Sequence, residues 1–118
     1  MSKGPLHDKS MDFAVRIVNF CKFLRKRKES VMAKQVLRSG TAIGALIREA
    51  THAESTADFI HKLSIALKEA HETEYWIELL YRTEYINLVM YNSLIKDCKA
   101  IIAMLVKSVK TKKENLRK

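Results

Sequence analysis

The stretch Lys34–Ala50, KQVLRSGTAIGALIREA, decides how this chain folds. It holds two of the three glycines, Gly40 and Gly44, and no proline. A glycine inside a helix costs roughly 1 kcal/mol relative to alanine. Yet Val36, Leu37, Ile43, Leu46, Ile47 and Ala50 recur close to helical spacing. A helix that accepts two glycines implies that something approaches its backbone closely. Residues four apart share a helix face, so Gly40 and Gly44 are assigned to close helix packing. Membrane helices dimerise through the same spacing, but Lys34, Arg38, Arg48 and Glu49 exclude a bilayer here.

Outward from that stretch, three further helices are expected. Helix one covers about 9–27, with Phe13, Ile17, Phe20 and Leu24 as its inner stripe and Ala14, Val18 and Cys21 widening it. Val15 and Phe23 fall outside the stripe, an apolar surface broader than one side of a four-helix core needs, which points to a partner subunit. Ser30 is the expected N-cap of helix two, about 31–52. Ser55 with Asp58 resembles a capping box and opens helix three, about 56–83. Asn87 caps helix four, about 88–110. Residues 1–8 read as a polar lead without the apolar core of a signal peptide, and 111–118 as a basic tail that frays. Four helices with short connections pack most simply as an all-α, antiparallel up-down-up-down four-helix bundle.

A length of 118 residues allows one domain. The 47% hydrophobic and 30% charged content, with one proline, suits a helical protein. Cys21 and Cys98 make no metal spacing and read as buried reduced thiols in a cytoplasm. The net charge is +9 and the pI about 9.7. Such a surface favours RNA or DNA backbone over other polyanions. The charge is uneven. Residues 1–48 carry eleven Lys/Arg against three Asp/Glu, 49–84 carry three against eight, and 85–118 carry eight against two. Helix three is therefore acidic. Lys22, Arg25, Lys26, Arg27 and Lys28, with Arg16, Lys34 and Arg38 behind them, are the candidate phosphate contacts. Some of that cluster suits the C-terminal macrodipole of helix one without a ligand. No zinc finger, helix-turn-helix or ribonucleoprotein motif would read bases.

Glu49–His52 and Asp58–His61 are acid-x-x-His pairs, as in di-iron bundles. The other two helices offer only Asp12 and Asp97 as partners, so no metal site and no cofactor are expected. Glu69, Glu72, Glu74 and Glu78 match no catalytic constellation, and the protein is not expected to be an enzyme.

The 34–50 stretch resembles the signature of the bacterial four helix bundle protein family, which includes proteins encoded in 23S ribosomal RNA intervening sequences. Asp12–Val18 (DFAVRIV) resembles the family's opening of helix one, and Asp58–Leu80 (DFIHKLSIALKEAHETEYWIELL) its helix three. The likeness spans about residues 9–107. It implies a four-helix bundle, a ring-like homopentamer with a basic central channel, and no catalytic residues. A related branch, the accessory variability determinant of diversity-generating retroelements, implies a reverse transcriptase as partner. A protein-binding scaffold without a direct nucleic-acid role is the alternative. Two positions depart from the pattern. Arg48 stands where a small or acidic residue is commoner. Glu84 stands where glycine often ends helix three, implying a less sharp turn.

Overall fold

The computed structural model describes residues 4–117 and contains four helices: α1 (Pro5–Lys26), α2 (Val31–Ala50), α3 (Thr56–Arg82) and α4 (Leu88–Leu116). They form a four-helix bundle with extents of 51 × 25 × 22 Å. Residues 1–3 of the expected lead and Lys118 of the expected tail lie outside the described residues.

Each helix buries the central stripe its periodicity marks, but Val18, expected to widen the stripe of α1, is exposed instead, because it lies on the outer side of the helix with Met11 and Val15. Phe13, Ile17, Phe20 and Leu24 of α1 meet Val36, Ile43 and Ile47 of α2, Leu63, Ala66, Ala70, Ile77 and Leu80 of α3, and Leu94, Cys98, Ile101 and Leu105 of α4 in one core. The small residues set how closely the helices approach. A Cβ added at Gly40 would lie 2.9 Å from both Cγ atoms of Ile17, so α1 and α2 touch at a point where no side chain fits. Gly44 is different: its added Cβ would meet the Ser10 carbonyl at 3.5 Å, an ordinary contact. Between α2 and α3, the buried Thr73 hydroxyl donates to Ser39 Oγ at 2.9 Å. Between α3 and α4, the Cys98 thiol donates to the Ala70 carbonyl at 3.3 Å. Of the neighbouring helix pairs, α1 and α4 touch least.

Both cysteines are buried and free. Burial pushes the Cys98 thiol up to about 12, aided by Glu74 and Asp97, and the Cys21 thiol up to about 11 against the opposing pull of Arg25.

Five helix ends differ from the expected boundaries, that of α1 at Lys26 rather than 27 by a single residue. Helix α1 starts at Pro5 rather than 9, because proline at the first helical position sets the helical φ and gives up an N–H that has no partner there. Helix α4 runs to Leu116 rather than 110, since a lysine-rich segment without glycine or proline has no reason to stop. Helices α2 and α3 end slightly early, at Ala50 and Arg82. Ser30 makes no capping hydrogen bond. Its place is taken by the buried Glu29, whose carboxylate accepts the Ala33 N–H at 2.9 Å. Ser55 and Asn87 do cap, accepting from the Asp58 and Met90 N–H groups.

The turn at Glu84 is as sharp as a glycine would make it. Glu84 has φ 68°, the Glu84 N–H donates to the Tyr81 carbonyl and the Tyr85 N–H to the Leu80 carbonyl. This is the Schellman closure of a helix. Lys28, φ 64°, ends α1 in the same way, with the Lys28 and Glu29 N–H groups on the Arg25 and Leu24 carbonyls.

Candidate nucleic-acid interface

The antiparallel path places the α1–α2 and α3–α4 turns at one end of the bundle, and the Arg27 guanidinium ties them together by donating to the Tyr85 carbonyl. Arg27 also lies 6.0 Å from the centre of the Phe23 ring. Around this turn end, Lys22, Arg25, Lys26, Lys28 and Lys34 are exposed, with no acidic partner among the described residues. Such lysines cost little to bring against a phosphate, since no existing ion pair must first break.

Arg16 and Arg38 are placed otherwise. Arg16 reaches across the α1–α4 seam to Asp97 at 2.6 Å and to Ser93. Arg38 reaches α3, where it pairs with Glu69 at 3.0 Å and with Glu72. Hydrogen bonds to Glu72 and then Glu69 hold the Arg38 pKa above its ordinary value. Trp76, whose indole N–H donates to Glu72 at 3.0 Å, and then Arg38 hold the Glu72 carboxyl below the usual range. Both arginines therefore fasten helices together. No local pattern distinguishes them from Lys34, because their acidic partners stand 31 to 81 positions away.

A second cationic surface emerges only from the length of α4. Lys110, Lys113 and Arg117 lie beside Leu67, Val106 and Val109, and the Lys112 ammonium sits 5.1 Å from the Phe59 ring centre. The composition of residues 107–118 held that signal, but a fraying tail would not array it on one helix. Much of the negative charge of α3 is engaged by arginines: besides Glu69 and Glu72, Glu78 pairs with Arg82 at 3.0 Å, while Glu74 lies in hydrogen-bond contact with the His71 ring at 3.1 Å. Among the described residues, no three His, Cys, Asp or Glu side chains converge on a metal position, and no helix is long and apolar enough to cross a membrane.

Several large apolar residues remain outside the core. Met11, Val15 and Val18 form an exposed stripe on α1. Next to it, Met11, Ala14, Thr41, Gly44 and Ala45 line a shallow α1–α2 groove of about 530 Å³. Val31, Leu88 and Val89 are exposed at the turn end, at 75%, 53% and 79%. Tyr75 is exposed too, packed edge-on against Trp76 at 5.0 Å between ring centres.

A bundle of four antiparallel helices with a cationic turn end defines a class of small basic helical proteins. Within it, the chain belongs to the 23S rRNA-intervening sequence protein family, whose model matches residues 5–107. It is also similar to a protein of unknown function from the S23 ribosomal protein family of Bacteroides thetaiotaomicron VPI-5482, solved by crystallography at 1.70 Å. The two share 60% identity over 90% of this chain and 99% of that one, with a TM-score of 0.89. No functionally curated protein matches the chain.

Proposed function

We propose that this protein is a non-catalytic, homo-oligomeric nucleic-acid-binding accessory protein of the cytoplasm. The observation that carries the reading is the set of five exposed cations without acidic partners, Lys22, Arg25, Lys26, Lys28 and Lys34, around one end of the bundle. They contact phosphates, so RNA and DNA bind largely without regard to sequence. The exposed Met11, Val15 and Val18 stripe supports self-association, and the family resemblance points to five subunits in a ring. A reverse transcriptase is the protein partner that the retroelement branch of the resemblance suggests.

The salt dependence of binding tests this reading. Each phosphate neutralised contributes about −0.9 to the slope of log affinity against log salt. A slope of about −2.7 to −4.5 is expected for a mixed-sequence duplex, as for about three to five phosphate contacts. An affinity that stays flat between low and moderate salt overturns the phosphate mechanism. That outcome would favour the second reading, a protein-binding scaffold, for which the exposed Val31, Leu88 and Val89 at the same end speak.

A further inference from the structure

The bundle is least closed along the α1–α4 seam, where three cavities follow one another. The one at the turn end is about 590 Å³. The next, about 260 Å³, shares Phe23 and Met90 with it, and the third, about 310 Å³, shares Arg16 with the second. The turn-end cavity combines apolar faces from Phe23, Tyr81 and Met90 with polar groups from Arg27, Arg82 and Asn87. Phe23 and Tyr81 are only half-buried, and the Tyr81 ring is backed by Tyr91, 4.7 Å away between centres.

We propose that this cavity receives an unstacked base of a single-stranded nucleic acid, with the flanking phosphates on the unpaired cations of the same end. The proposal rests on the nucleic-acid reading above and adds that single strands are the preferred form. Three observations carry it. The volume, about 590 Å³, falls in the range of about 300–1,000 Å³ usual for small-molecule sites. Aromatic faces lie beside cations, and a base stacked on such a face is held sequence-tolerantly. Arg27 is fixed by the Tyr85 carbonyl and the Phe23 ring, and an arginine has five N–H donors, so others remain for a phosphate beside the stacked base. Glu84, also in the lining, supplies an acceptor for an exocyclic base amine. A base in a duplex is stacked and paired, and reaches this cavity only at the cost of flipping out.

The competing occupant of this end is an anionic membrane surface, into which Val31, Leu88 and Val89 would dip. A bilayer leaves the half-buried aromatic cavity without a role, which favours the strand.

The test is fluorescence anisotropy with one labelled mixed-sequence strand of about 12 nucleotides, alone and as its duplex, over a salt series. The single strand is expected to bind the wild type at least about fivefold more tightly than the duplex. Phe23→Leu keeps an apolar side chain on the core but removes the ring. It should lose about tenfold on the single strand and less than about twofold on the duplex, with the salt slope unchanged. A fluorescent adenine analogue in the strand gives a readout on the wild type alone, its emission falling on binding as the base stacks. Equal loss on both forms, a preference for duplex, or unchanged emission overturns the base pocket while leaving phosphate binding in place. Binding of neither form at low salt overturns the nucleic-acid reading and the pocket with it. Competition by phosphatidylglycerol vesicles with the same Phe23→Leu sensitivity would reassign the cavity to lipid and overturn the proposal.

Discussion

Gly40 and Gly44 look alike in sequence and differ in what they touch. At Gly40 an added methyl would fall 2.9 Å from two carbons of Ile17, and 3.3 Å from its Cβ. Ile17 is fully buried and β-branched, so it cannot swing aside. Overpacking of about 1–3 kcal/mol then outweighs the roughly 1 kcal/mol gained from alanine's helix propensity. At Gly44 the same methyl makes an ordinary contact at 3.5 Å, and the propensity gain of up to about 1 kcal/mol remains. Gly40→Ala should therefore lower the urea midpoint and Gly44→Ala raise it. Equal shifts of the same sign would remove the distinction. The close approach was legible as a pair of glycines. Which glycine enforces it was not, because that depends on the side chain standing opposite on α1.

At the scale of the element, α1 and α3 end alike, each with a charged residue in the left-handed region. The Cβ clash there costs about 1–2 kcal/mol, which glycine avoids in part at the expense of chain entropy. Lys28→Gly and Glu84→Gly should each stabilise the protein by about 0.5–1 kcal/mol, a rise of a few degrees in Tm. Lys28→Gly carries a second readout. If Lys28 contacts a phosphate, the variant is more stable yet binds duplex with a salt slope shallower by about one. A steeper or unchanged slope would take Lys28 out of the interface, and a lowered Tm would contradict the strain argument. The expectation of a loose turn at Glu84 came from its residue type. The chain instead takes the strained conformation because the Schellman hydrogen bonds and the docking of Tyr85 and Ile86 on the core over-determine it. The extra length of α4 has a similar lesson: composition marked the cations, and only the continued helix puts Lys110, Lys113 and Arg117 along one side.

For the whole molecule, the question is what covers the outer face of α1. Met11, Val15 and Val18 are spaced as one helical stripe and are 43%, 54% and 38% exposed. In water a second copy would bury them, and at about 25 cal/mol per Å² a few hundred Å² of apolar contact per subunit is substantial. Light scattering at micromolar concentration should give a multiple of 13.6 kDa, five subunits on the ring reading. Val15→Lys with Val18→Lys should yield a folded monomer by circular dichroism. A wild type that scatters as 13.6 kDa would remove both the ring and the role given to this stripe. Phe23, grouped with Val15 by sequence as surplus apolar surface, has a different place: it packs partly on the core beside Phe20, 6.5 Å between ring centres.

The sequence by itself determined the four helices, their antiparallel order and their inner faces, because helical periodicity and capping are local and the 3.6-residue repeat leaves one choice of buried stripe. It also determined that both ends of the chain are basic and that α3 is acidic. Only the tertiary structure decided which cations stay free. Arg16 and Arg38 are spent on Asp97, Glu69 and Glu72, whereas Lys22, Arg25, Lys26, Lys28 and Lys34 face solvent. An ion pair forms wherever packing brings opposite charges within about 4 Å, and packing joins residues far apart in the chain. The same holds for the stretch that decides the fold: the spacing of Gly40 and Gly44 is written in the sequence, but Ile17, the residue that makes one of them irreplaceable, is brought there by the bundle.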